Sequence, residues 1–284
     1  MIYWIGIKEK LNNHIELASQ LLLLVLGIYI SIMSEKYGIW KTPVLFLGLF
    51  YWFFFRHKIK HPIIWMAFSA LLLFDLYLMY LRVANHHFVL TFMTLSVLCY
   101  RYHKRSDILL KNIQILLVIV ILASVLQKLI SNQFISGNFY YYMLNRGFLF
   151  DPFLGFFPEI SEVTKSNTES LIALQATDPN IGESIVLKDV FPNLGVISQV
   201  FAMLTIAMEF IVAIAILWKP KSTWTHLLFI MLIIGILCTR LETGFMALLA
   251  ISGLFLCNNI KLRLLYVIIA MFCVVLVVTK LGYH

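Results

Sequence analysis

Lys128 closes an otherwise apolar run, Ile113-Gln-Ile-Leu-Leu-Val-Ile-Val-Ile-Leu-Ala-Ser-Val-Leu-Gln-Lys128. An amine in such a setting finds a counter-ion, sheds its proton or reaches back to the interface, and an ionisable residue inside an apolar span is by default a functional-site candidate. Three chemistries follow. Burial lowers a lysine's proton affinity, as a general base requires. Asp75, in Leu71-Leu-Leu-Phe-Asp75-Leu-Tyr-Leu, offers a carboxylate for an ion pair. The four-carbon stem would also let Lys128 lie along its helix and reach the headgroups.

Other polar residues fall at a similar depth. Asn85-His86-His87 opens one apolar segment, and Arg240 and Glu242 flank the turn between two others. Depth in the chain places Lys128, Asp75, His86, His87, Arg240 and Glu242 towards one face, although depth does not establish contact. Glu209, in Ile206-Ala-Met-Glu209-Phe-Ile-Val, reads as deeper and nearer the opposite face, and His226 begins a segment on that opposite side. Two adjacent histidines on a helix point in different directions, so they do not chelate one metal as an i, i+4 pair would. No Gly-rich phosphate loop, nucleophile elbow or HExxH motif is present, and no metal site is expected.

The elements that must position these groups are apolar helices. The chain has 284 residues, of which 61% are hydrophobic and 13% charged, against about 25% charged in soluble domains. The lipid bilayer is therefore the expected solvent. The net charge of +8 comes from short basic clusters between apolar runs, which suits membrane topology and not nucleic-acid binding. Cys99, Cys238, Cys257 and Cys273 stand singly, without a CxxC or Cys/His spacing. Lys8 and Lys10 precede an apolar run as in a signal peptide, but Ser31-Ile-Met-Ser34 is a poor cleavage site, so a retained first helix is expected.

A span needs about 20 apolar residues. Candidate segments are 16–34, 42–55, 62–81, 87–100, 112–130, 196–218, 223–239, 243–257 and 262–279, the second and eighth of them short. The expected fold is an all-α polytopic membrane bundle of eight or nine transmembrane helices, forming a single domain over 1–284. One long outer-side loop, 131–195, separates the fifth and sixth spans and opens on the aromatic stretch Phe139–Phe150. Arg and Lys favour the side that holds Lys8, Lys10, Arg56, Arg101 and Arg105, which places the N-terminus in the cytoplasm and the 131–195 loop outside. A loop of this length reads as a lid or binding segment, or as a surface excursion.

Three stretches together resemble the membrane domain of the vitamin K-dependent gamma-carboxylase family, known more broadly as the HTTM group. They are Asn85-His86-His87-Phe-Val-Leu, then Ala123-Ser-Val-Leu-Gln-Lys128-Leu-Ile-Ser-Asn-Gln-Phe-Ile-Ser-Gly137, and a later span with Glu209 followed by His226-Leu-Leu-Phe and Gly235. The resemblance covers about residues 15–255, and its motifs are short. It implies a quinol-linked enzyme in a bacterial-type cell membrane. Lys128 would deprotonate a reduced, vitamin K-like quinone, and oxygen addition and epoxidation would generate a base that takes a proton from substrate carbon, with carbon dioxide as a further reactant. His87 would bind or polarise the quinol oxygen, with Asp75 and Glu242 tuning the site. The chain departs from that pattern in having Gln127-Lys128 in place of paired lysines, and about 65 residues in place of a large lumenal region. A peptide substrate, or a membrane or secreted partner, is the expected companion. A non-catalytic subunit for peptide-toxin maturation, export or immunity is the alternative, and a proton-coupled carrier using Asp75 and Glu209 ranks below both, because no inverted repeat is visible.

Overall fold

The structure, a computed structural model, describes residues 2–37, 62–79, 85–178, 182 and 184–279. All the described elements are helical. They are α1 (Ile2–Asn12), α2 (His14–Tyr37), α3 (Pro62–Met79), α4 (Asn85–His103), α5 (Ser106–Ile130), α6 (Asn132–Ile135), α7 (Asn138–Asn145), a 3-10 turn (Asp151–Phe156), α8 (Pro158–Ala176), α9 (Leu194–Trp218), α10 (Thr223–Arg240), α11 (Thr243–Leu256) and α12 (Ile260–Val278). The apolar segments read from the sequence each fall on one helix over their described residues, apart from 42–55, which lies outside the described residues.

Length and composition sort these helices. The 25 residues of α5 and of α9 rise about 37 Å, enough for a hydrocarbon core of about 30 Å. Among the described residues, α5, α9, α10 and α12 are long and apolar enough to cross a membrane. The α1–α2 pair, bent by 89° at Asn13, makes a fifth if it counts as one span. The 14 residues of α11 rise only about 21 Å. Protein, not lipid, covers that helix: Met246 to Leu256 is buried without a break.

The chain divides into two compact units. One comprises residues 1–120, 212–233 and 242–284. Within it α11 packs on α12, α2 and α4, and α3 packs on α4. Gly253 is required where α11 meets α12, because a Cβ there would lie 2.4 Å from the Tyr266 ring. Tyr266 in turn shares a hydrogen bond with His226 Nδ1 at 2.9 Å. Arg101 on α4 reaches Glu16 on α2 at 2.8 Å, and Arg263 donates to the carbonyls of Cys257 and Leu11, tying α12 to the end of α1. Asn259 caps α12 by accepting from the Lys261 and Leu262 amides.

The second unit comprises residues 121–211 and 234–241. It contains the 131–195 segment, read above as a loop, which carries α6, α7, the 3-10 turn and α8. Their core is Val125, Phe134, Tyr140, Leu144, Leu149, Leu194, Ala202 and Ile206. One stripe of the first half of α9, Leu194, Ala202 and Ile206, is thus buried against this excursion, while Val196, Val200 and Leu204 are exposed. Gly137 fixes the contact. Its φ of +79° is left-handed, and a Cβ would come within 2.6 Å of the Gln199 amide nitrogen on α9.

Candidate functional site

Lys128 ends α5 and finds its counter-ion in the second unit. Nζ makes a charge-assisted hydrogen bond to Glu209 Oε1, 81 residues along the chain on α9. Nζ also donates to Ser124 Oγ at 2.9 Å, one helical turn back, and Ser124 Oγ donates to Glu209 Oε2 at 3.1 Å. Ammonium, hydroxyl and carboxylate therefore close a triangle across two helices. Exposure is 19% for the Lys128 side chain and 7% for that of Glu209. The Phe134 ring centroid lies 5.5 Å from Nζ, placing a π-face near the cation.

An aromatic cluster surrounds this corner. Phe134 stacks on Phe139 at 5.5 Å and meets Tyr140 edge-on at 5.3 Å, Phe201 from α9 lies against Tyr140 at 5.6 Å, and Phe150 meets Phe201 at 6.0 Å. The Tyr140 hydroxyl is shared with Thr205 Oγ1 at 2.8 Å. Arg240, at the end of α10, places its guanidinium 5.6 Å from the Phe139 centroid.

The remaining expected residues lie in the first unit. His87 is 1% exposed and both ring nitrogens are engaged, Nδ1 with the Tyr29 hydroxyl at 2.9 Å and Nε2 with the Leu72 carbonyl at 3.1 Å. A carbonyl only accepts, so Nε2 carries hydrogen, and in the neutral ring Nδ1 accepts from Tyr29. His86 meets the Tyr29 ring edge-on at 5.8 Å. Asp75, 6% exposed on α3, lies within electrostatic reach of Tyr29. Glu242 stands at the head of α11, where its carbonyl accepts from the Met246 amide at 3.0 Å.

The carboxylate bonded to Lys128 is Glu209, where the sequence reading offered Asp75. The reason is physical. Leu194, Ala202 and Ile206 form one stripe of α9 that packs in the core of the 131–195 excursion, and Glu209 continues that stripe one turn on. Glu209 therefore sits level with the end of α5. Ser124 was missed as well, although its i, i+4 spacing to Lys128 is a legible signal.

No family model, no curated protein and no solved structure matches the chain.

Proposed function

We propose that the chain is an integral membrane enzyme similar to the vitamin K-dependent gamma-carboxylases, in which Lys128 is the base for a reduced quinone and a peptide is the final substrate. The observation that carries this reading is the Lys128–Glu209–Ser124 triangle set beside the aromatic cluster around Phe134. A quinone ring needs flat apolar neighbours and a proton acceptor at its edge, and Phe134, Phe139, Tyr140 and Lys128 are suited to supply both. A reduced quinone held there would be oxidised by molecular oxygen to an epoxide, and that reaction would supply a base strong enough to deprotonate carbon. Carbon dioxide enters as well if the peptide is carboxylated.

The chain's own part is proton management. Transfer of the shared proton from Lys128 Nζ to Glu209 Oε1 leaves a neutral amine and a neutral acid. A dry environment penalises that form least, because separated charges lose their hydration there. Ser124 touches both partners and holds the amine in place throughout. In this reading eight or nine helices cross the membrane, the N-terminus is cytoplasmic, and the 131–195 segment and Lys128 lie towards the outer face.

The test is epoxide formation from reduced quinone and oxygen by the full chain in lipid nanodiscs. Wild type forms epoxide, and Lys128→Ala forms at least about 100-fold less, the usual scale of a lost general base. Wild-type turnover by Lys128→Ala would end this reading.

A second reading has its own observation. Both nitrogens of His87 are occupied, and Lys128 is already paired. Such satisfied groups suit a non-catalytic subunit for peptide-toxin maturation, export or immunity, with the 131–195 segment as the peptide-binding part. It predicts that deleting 151–190 abolishes function while Lys128→Arg is tolerated, since arginine keeps the charge.

A further inference from the structure

Residues 184–190, Ser-Ile-Val-Leu-Lys-Asp-Val, run past α7 and α8 without regular structure. Ser184, Val186 and Lys188 are exposed, whereas Ile185 and Leu187 are partly covered, the period-two pattern of an extended chain. Val186 is 95% exposed. What holds this stretch is a pair of buried asparagines.

Asn167 on α8, 3% exposed, treats Lys188 as a neighbouring strand would. Its Oδ1 accepts from the Lys188 amide at 2.9 Å and its Nδ2 donates to the Lys188 carbonyl at 2.9 Å. The same Nδ2 donates to the Asn145 carbonyl at 2.9 Å, fixing the amide plane. Asn145, at the end of α7 and 0% exposed, accepts from the Val190 amide at 3.1 Å through Oδ1. The two asparagines therefore engage positions 188 and 190, which lie on one edge of an extended chain. These bonds go to main-chain atoms, so they do not depend on the side chains of the segment. The one side chain gripped is Asp189, which accepts from the Tyr141 hydroxyl and from Asn145 Nδ2 at 3.4 Å.

We propose that Asn145 and Asn167 form a main-chain-reading peptide site that residues 184–190 cover in cis, and that an extended peptide takes the strap's place. The preferred ligand carries an acidic side chain between its two engaged residues, opposite Tyr141, as Asp189 does. Buried amides demand partners, whichever chain supplies them, so the site exchanges one extended backbone for another at little cost. Calling that peptide the substrate rests on the function proposed above; its binding does not.

The probe is a fluorescent peptide with the sequence of residues 184–190, added without quinone to the full chain in nanodiscs. Lys188→Pro/Val190→Pro removes both amide donors of the strap, leaving Asn145 Oδ1 and Asn167 Oδ1 without them. We expect this variant to bind the peptide at least tenfold more tightly than wild type. Adding Asn167→Ala should abolish the gain, and replacing the aspartate of the peptide by alanine should weaken it. A folded double proline variant that binds no tighter than wild type, or a gain that survives Asn167→Ala, overturns the proposal. Should the proline variant not fold, hydrogen exchange on wild type decides. Excess peptide must then speed exchange at the Lys188 and Val190 amides, and unchanged exchange overturns the proposal. Failure here leaves epoxidation untouched, and loss of epoxidation leaves this binding untouched, so the two ideas fall separately.

Discussion

Removing either partner of the Lys128–Glu209 pair leaves a charge in a place built for two. Breaking a buried ion pair costs about 3–5 kcal/mol, because the orphan keeps its desolvation penalty without its partner. The two ends of this pair differ. Glu209 is the more enclosed, with a side chain 7% exposed, and it is short; Lys128 is 19% exposed and can swing towards water on a flexible stem. We therefore predict a loss of about 3–4 kcal/mol for Lys128→Met but only about 2 kcal/mol for Glu209→Gln. In the double variant neither charge is orphaned, Met fills the lysine stem's volume, and Gln keeps an acceptor for Ser124. Its loss should be about 2 kcal/mol, against about 5–6 kcal/mol if the single losses added, a coupling of about 3–4 kcal/mol. Reversible unfolding in mixed micelles reads all four corners of the cycle. At about 1.4 kcal/mol per tenfold, Lys128→Met should raise the unfolded ratio by more than about 100-fold. Additive losses, or single losses below about 1 kcal/mol, would refute the claim that the two groups form one buried unit.

Gly137→Ala should lower stability by about 2 kcal/mol or more, read by the same unfolding assay, because it combines a left-handed φ with a Cβ driven into the backbone of α9. Gly253→Ala should act on the other unit by displacing the Tyr266 ring, and should be read as faster exchange of α12 amides than in wild type. The hydrogen bond to Asp189, followed by burial, raises the Tyr141 phenol above its ordinary value of 10.0. A raised value in the folded state means that this bond contributes fully below pH 10 and is lost as pH climbs through the raised value. The wild type minus Tyr141→Phe phenolate difference spectrum should therefore titrate above pH 10, and a midpoint at or below 10 would contradict the bond.

Helix identity was legible because apolar length is a one-dimensional property: the segments around Leu71, Leu117, Val212 and Ile269 all announce themselves. The lone cation in the fifth segment was legible for the same reason. Its partner was not. Glu209 continues a stripe of α9, Leu194, Ala202 and Ile206, that packs against residues some sixty positions earlier, Phe134, Tyr140 and Leu144 among them. An apolar turn covered by protein and one covered by lipid look alike in sequence. The same limit hid the 131–195 excursion: Asn145 and Asn167 are polar residues that sequence alone would set at the surface, yet both are buried and bonded to the main chain of 184–190. For α11 the shortness was visible, while its enclosure by α2, α4 and α12 was not.

In the proposed function Lys128 acts through a proton and not through its charge alone. Lys128→Arg, assayed in nanodiscs for quinone epoxide under oxygen, separates the two directly, since arginine keeps a cation for Glu209 and never releases it at working pH. The variant should fold and form epoxide at least about 100-fold more slowly than wild type. Epoxide formation at the wild-type rate by Lys128→Arg would contradict that role.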